Sequence, residues 1–225
     1  DYTTAIDVAR GRVVTSAGTV HAPQTIIATN GYSSEDVPNW MSGRYMPAQS
    51  TVIVTQPLSA EDLDRQGWTS AQMAYDTRHL LHYFRRMPDG RFLFGMRGGL
   101  RTGARAERRA RAAVVSDFRR MFPAWSHVNV THAWSGLVCL ARDRVPYVGP
   151  VPDAPGVYAG FAYHGNGVAM GLFCGQLLAG LLRGAPGVEI PDVMARQAGR
   201  FPLGRFRRLL MPGVYAAFKL ADALP

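Results

Sequence analysis

The stretch Tyr163-His164-Gly165-Asn166-Gly167-Val168-Ala169-Met170-Gly171 carries the densest chemistry in the chain. It follows a short apolar run, Val157 to Phe161, and opens an apolar segment of helical character, Val168 to Arg183. Glycines at such a junction let the backbone approach a ligand, and the free N–H groups of a helix start attract an anionic or carbonyl oxygen. As a dinucleotide fingerprint the spacing is one residue too long, GxGxxxG instead of GxGxxG. A helix start directed at the edge of a cofactor ring fits better than a phosphate loop. His164 adjoins the turn and is of the type that titrates near neutrality, so it is a candidate catalytic residue. The alternative is a loop histidine bonded to backbone. Gly167, Gly171, Gly175 and Ala179 recur four apart and form one smooth stripe. Each glycine inside a helix costs about 1 kcal/mol relative to alanine. The stripe therefore implies close packing against a sheet or a flat ligand, or else a tightly packed core helix.

Other chemistry-bearing residues are more dispersed. Tyr83 and Trp134 fall on expected strands, where aromatics line either a substrate face or a core. Arg142 could meet an acidic substrate end, or pair with Asp143 or another neighbour. His79 and His82 bracket a strand start and read as structural. His127 and His132 stand five apart with no third ligand type nearby, so no metal site is expected. Cys139 and Cys174 fit neither a metal spacing nor CxxC, and a reducing, cytoplasmic setting is the simpler expectation.

The elements that must position these residues change style along the chain. Residues 12–29 read as strand, turn, strand, ending in the continuous apolar run Thr25-Ile26-Ile27-Ala28 before Asn30-Gly31. Such a run suits a buried strand of a parallel sheet, and ligands sit beyond the C-terminal ends of those strands. Residues 32–48 are loop-like, with Pro38 and Pro47. Ser50 to Thr55 reads as a strand, and Leu80 to Met87 and Arg91 to Met96 as two more. Pro88-Asp89-Gly90 joins those two as a hairpin turn. Ala104 to Met121 is an amphipathic helix with Val114, Val115, Phe118 and Met121 on one face. Val128 to Leu140 is a strand pair or one long strand. The tail from Pro202 is basic and helical, with Arg205, Arg207 and Arg208. The fold class expected is α/β (mixed α+β). Residues 1–43 and 144–200 form parts of a doubly wound nucleotide-binding domain, and 44–143 an antiparallel-sheet substrate domain with a helix. Residues 201–225 form a helical tail. An insert between two halves of one domain makes the cleft between them a natural ligand site.

With 225 residues, 47% hydrophobic and 18% charged, the chain is globular and not disordered. Its net charge of +9 is carried almost wholly by arginine, since Lys219 is the single lysine. The rival class is a non-enzymatic basic module binding nucleic acid through Arg97, Arg101, Arg105, Arg108, Arg109 and Arg111. The arginines are scattered and lack interleaved aromatics for base stacking, so no nucleic-acid partner is expected. The longest apolar stretch, Val168 to Leu182, is too short and glycine-rich for a membrane span.

Five motifs occur in one order: Ala28-Thr29-Asn30-Gly31-Tyr32; Tyr83-Phe84-Arg85 with Asp89-Gly90-Arg91-Phe92-Leu93-Phe94-Gly95; Trp134-Ser135-Gly136; Asp143-Arg144-Val145-Pro146-Tyr147-Val148-Gly149; and Tyr163 to Gly171. Together they resemble the D-amino-acid-oxidase-like, or glycine/sarcosine-oxidase-like, family of FAD enzymes, with the flavour of the branch typified by γ-glutamylputrescine oxidoreductase. The resemblance covers nearly all of the chain. It implies non-covalent FAD, since Cys139 does not stand where a covalent link is expected, and a small-molecule amine or amino-acid substrate. It also implies hydride transfer to flavin from a C–H next to nitrogen. Ala28, Thr29, Gly31, Gly165, Asn166, Gly167, Val168 and Ala169 are then cofactor contacts, with His164, Tyr83 and Trp134 near the substrate. Two departures stand out. The family's N-terminal GxGxxG unit is absent, so the chain is expected to be a C-terminal part, unable to hold the adenosine half of FAD and inactive alone. The arginine that often serves as an α-carboxylate clamp ahead of Asp143 has no clear counterpart, which favours amines over α-amino acids.

Overall fold

The computed structural model describes residues 3–99 and 103–223. In chain order the strands are β1 (Ala5–Ala9), β2 (Arg12–Thr15), β3 (Gly18–His21), β4 (Thr25–Ile27), β5 (Met46–Pro57), β6 (Ala74–Tyr75), β7 (His82–Arg86), β8 (Arg91–Arg97), β9 (Val130–Leu140), β10 (Tyr147–Pro150) and β11 (Val157–Phe161). The helices are α1 (Ala60–Gln66), α2 (Ala104–Met121), α3 (Gly167–Arg183), α4 (Asp192–Ala195) and α5 (Met211–Ala223). The chain divides into two compact units: Asp1–Pro47 with Leu137–Leu209, and Ala48–Gly136 with Leu210–Pro225. The segment read as a tail thus splits, its first part grouping with unit 1 and α5 with unit 2.

Unit 1 holds two small sheets. One is an antiparallel meander, β1-β2-β3. The other has the order β10-β11-β4, with β4 parallel to β11 and β10 antiparallel to it. The parallel pair Ile27↔Ala159 is the pairing expected for the Thr25–Ala28 run, but the run is not a buried strand, since Ile27 alone is buried and Ile26 is 44% exposed. Ile27, Met41, Tyr45, Cys139, Ala159 and Phe161 build one core. Val148, Cys174, Leu177 and Leu178 build another under α3.

Unit 2 is a five-stranded sheet, order β6-β7-β8-β5-β9, with α2 on one face. The hairpin β7–β8 turns at Pro88-Asp89-Gly90, where Gly90 takes φ +81. Its register sets Phe84 opposite Phe94. Alternation along a strand sends Phe84, Phe92 and Phe94 to the α2 side. There they pack with Ile53 and with Val114, Phe118 and Trp125, all fully buried. The α2 bounds coincide with those read from periodicity. Val130–Leu140 forms one long strand, not a pair. β5 is longer than expected, because eight consecutive buried residues, Ala48–Thr55, hide any alternation. α1 escaped the sequence reading although its signals are present. Ser59 and Asp62 form a reciprocal capping box, and Gly67 stops the helix at φ +69.

Arg207, read as part of a basic helical tail, is completely buried. It donates to the Tyr45 and Gly204 carbonyls and to Glu35 Oε1, the last at 2.5 Å.

Candidate functional site

The loop after β11 is held in an unusual backbone path. Ala162, His164 and Gly165 take φ +68, +53 and +96, so two non-glycine residues occupy the left-handed region. Each such residue costs on the order of 1 kcal/mol or more and persists only where surroundings enforce it. The enforcing bonds lie within unit 1. Ala162 N–H donates to Asn30 Oδ1 at 3.0 Å, and His164 N–H to the Cys139 carbonyl at 3.1 Å. The Ala141 N–H donates to His164 Nε2 at 3.1 Å. A neutral imidazole that accepts at Nε2 carries its proton on Nδ1. The His164 ring therefore fastens this loop to the end of β9, the backbone-bonded role open to it on sequence grounds.

Those bonds leave the start of α3 open. Gly165, Asn166, Gly167, Val168 and Ala169 are all exposed, and the N-cap Asn166 makes no side-chain cap bond. The first N–H groups of a helix have no intrahelical acceptor and carry partial positive charge. The Tyr163 ring lies under this turn: Cβ atoms built at Gly167 and Gly171 would sit 4.0 and 3.8 Å from it. Burial pushes the Tyr163 phenol up to about 12. Nothing lies within 4 Å of a Cβ at Gly175, and Val168 and Leu172 are 86% and 76% exposed. Exposed glycine backbone, open amides and flanking aliphatics fit a flat, electron-rich ring edge, as a flavin presents.

The turn after β4 divides by residue. Ala28 and Thr29 are exposed and remain compatible with a cofactor contact. Gly31 is buried, and a Cβ there would come within 2.9 Å of the Leu137 Cβ and carbonyl oxygen. The close approach of β9 accounts for that glycine directly.

Tyr83 and Trp134 lie on unit 2. Tyr83 stands opposite Gly95, where a Cβ would meet its ring at 2.3 Å, and its hydroxyl bonds Ser50 Oγ at 2.9 Å. Ser135 Oγ bonds Thr51 Oγ1, and Thr51 pairs with Met96 on the α2 side. By alternation Trp134 and Tyr83 share the opposite face, where Trp134 is 51% exposed.

The remaining candidates have local partners. Arg142 donates to the Arg200 carbonyl at 3.3 Å and not to Asp143. His79 pairs with Asp222 and His127 with Asp62. No cluster of metal-ligating side chains occurs among the described residues. Arg105, Arg108, Arg109 and Arg111 are exposed on α2, while Arg101 lies outside the described residues. No helix among the described residues is long and apolar enough to cross a membrane. His82, structural on sequence grounds, centres a charged cluster that no local spacing marks. That side chain is buried between Asp76 Oδ2, 2.7 Å from Nδ1, and Asp117 Oδ2, 3.1 Å from Nε2.

The comparisons with known proteins agree with this architecture. Gamma-glutamylputrescine oxidoreductase of Escherichia coli (strain K12) is 34% identical over 214 residues, 94% of this chain and 49% of that protein. Two glycine oxidase crystal structures share the fold. The Bacillus cereus protein has a TM-score of 0.65 and 18% identity, covering 85% of this chain and 53% of that one. The Geobacillus kaustophilus protein has a TM-score of 0.67 and 16% identity, covering 88% and 53%. The chain spans about half the length of the relatives it matches. The family model described as FAD dependent oxidoreductase matches residues 1–181, which include both turns and the whole of the unit 2 sheet. By that match, the chain belongs to the FAD-dependent oxidoreductase family.

Proposed function

We propose that this chain supplies the flavin-edge contacts and the substrate-facing sheet of an enzyme that oxidises a C–N bond of a small amine or amino acid. The observation that carries this reading is the open start of α3, with Gly165 to Ala169 exposed and uncapped. FAD, bound non-covalently, would accept a hydride from the carbon next to the substrate nitrogen. Gly165, Asn166, Gly167, Val168 and Ala169 would hold its ring edge, with Ala28 and Thr29 beside the other turn. The amides at Gly167 and Val168 place partial positive charge there, which favours an electron-rich edge. His164 acts as a positioning residue through its bond from Ala141, which keeps the loop in its left-handed path. Tyr83 and Trp134 bear on the substrate from the exposed face of the unit 2 sheet. The GxGxxG fingerprint that would cradle the pyrophosphate is not among residues 1–225, so these residues by themselves should bind FAD weakly and show no amine oxidation.

Gly167→Val tests the site. Gly167 is the first residue of α3, and a Cβ there meets nothing closer than 4.0 Å. Valine is also a better helix former than glycine, so the fold should be kept. Its side chain would fill the space above the turn. FAD titrated into the full-length apoprotein should bind at least about tenfold more weakly, a loss of about 1.4 kcal/mol, with an unchanged circular dichroism melt. Equal affinity removes the α3 start from the cofactor site.

The substrate preference follows from the same residues. A carboxylate in a water-poor cleft needs a cationic partner, best a bidentate one. Arg142, the arginine directly ahead of Asp143, donates to the Arg200 carbonyl. An α-amino acid should then lose charged hydrogen bonds of roughly 1.5–3 kcal/mol, ten- to hundredfold in binding, relative to an amine. A side-by-side rate screen of D- and L-amino acids, N-methylglycine, putrescine and acylated putrescine should rank an amine first by kcat/KM. A plain α-amino acid at the top would show that another residue provides the clamp.

A further inference from the structure

Unit 2 contains a cavity of about 940 Å³ on the helix side of its sheet. His82 and Met96, a cross-strand pair, form one wall. They share their face with the Phe84–Phe94 pair, so the cavity and the Tyr83–Trp134 face lie on opposite sides of the sheet. α2 forms a second wall and α5 a third.

α5 is fastened at two places. The Asp222 carboxylate accepts from the His79 and Leu80 N–H groups at 2.8 and 3.1 Å, and Phe218 stacks on His79 at 4.9 Å. One helical turn and more away, the Tyr215 ring lies 3.7 Å from where a Cβ at Gly98 would stand. The helix is therefore a built wall of the cavity.

The lining combines small apolar residues with an excess of positive charge. Ala106, Ala110 and Ala113 recur on one face of α2 and leave the space unfilled. Arg109, Arg120 and Lys219 stand with the carboxylates of Asp117 and Asp222, while Arg78 pairs with Asp76 at 3.7 Å. Both carboxylates are already matched. Asp117 bonds His82 and Arg120, and Asp222 bonds the His79 ring and the two amides. Arg109 and Lys219 make no ion pair among the described residues. A cationic lining over an alanine floor suits neither a bare inorganic ion nor an uncharged alkane.

We propose that this cavity binds an organic anion, a carboxylate on an apolar stem, with Arg109 and Lys219 holding the head and the alanine face of α2 receiving the stem. Charge-assisted hydrogen bonds supply the head contact, and removal of the stem from water supplies the rest. The lining shares no residue with the flavin-edge set of unit 1.

Octanoate is the probe, titrated calorimetrically into the flavin-loaded full-length protein. Saturable one-to-one binding is expected, with no change in the flavin's visible absorption. The double variant Arg109→Gln/Lys219→Gln should bind roughly tenfold or more weakly, as expected for loss of charged contacts. Both positions are polar and exposed or rim-lying, so its melt should match the parent. Ala110→Phe, which fills the floor, should abolish binding. Octan-1-ol and inorganic phosphate should each bind far more weakly than octanoate. The proposal is overturned by absence of saturable octanoate binding, by undiminished binding to the double variant, or by phosphate binding as tightly as octanoate. Octanoate that shifts the flavin spectrum and competes with the amine substrate would place it at the flavin site and overturn the proposal equally.

Discussion

Replacing Arg207 with leucine should destabilise the protein by about 3–5 kcal/mol, the range found when one partner of a buried ion pair is removed. The side chain has no exposed surface, and its hydrogen bonds and ring contact lie within unit 1. Its guanidinium reaches the Tyr45 and Gly204 carbonyls and Glu35 Oε1, and lies 5.0 Å above the Tyr45 ring. Glu35 in turn accepts from the Gly43 N–H at 2.9 Å through its other oxygen. Leucine would fill much of the volume but leave a largely buried carboxylate and two carbonyls without a donor. Because a whole domain is stable by only about 5–15 kcal/mol, this loss should be visible in expression as well as in urea unfolding. Adding Glu35→Gln should recover part of it, since the orphaned charge is then gone. A single variant within about 1 kcal/mol of the parent would show that the buried pair is not what holds the 204–210 segment.

His82→Ala should cost about 3 kcal/mol, the lower end of that range because both carboxylate partners keep some contact with water. Burial by itself pushes the His82 imidazole down, but the bonds to Asp117 and Asp76 outweigh it and the net shift is upward from 6.5. For Asp117, burial pushes the carboxyl up, and the His82 bond together with Arg120 outweighs that, leaving it below 3.8. The signs fix the pH dependence. The histidine contribution is complete below 6.5 and is lost as pH rises through the elevated folded value. The aspartate contribution is complete above 3.8 and is lost as pH falls through the depressed folded value. Stability from this cluster should therefore be greatest in the weakly acidic window between those two ordinary values. Urea midpoints measured across pH should fall on the alkaline side in the parent and fall less in His82→Ala. Parallel curves for the two proteins would remove the charged cluster as the cause.

The parts legible in the sequence are those written in neighbouring residues. The period of Val114, Val115, Phe118 and Met121 gave α2 its bounds, and Pro88-Asp89-Gly90 gave the hairpin. The run Thr25–Ala28 reads as a buried strand of a parallel sheet and Val157–Phe161 as a short apolar strand; they pair in parallel, but of the first run Ile27 alone is buried. The order of the five motifs was enough for the family, which the match over residues 1–181 establishes. These signals are local because side-chain period and turn chemistry act over one or two turns of chain.

What tertiary structure alone decided are the pairings across long separations. Arg207 and Glu35 are 172 residues apart, and nothing in Arg205, Arg207 and Arg208 marks the middle one for burial. Gly31 looked like a ligand contact until β9 placed Leu137 within 2.9 Å of its missing side chain. His164 carries the chemistry of a catalytic group in the sequence, yet the fold sets its Nε2 against the Ala141 amide, 23 residues back. Whether a polar side chain reacts, fastens a loop or balances a buried charge depends on which distant backbone or carboxylate the fold brings to it. That partner is chosen by the packing of whole strands and helices, whose order the sequence declares and whose contacts it does not.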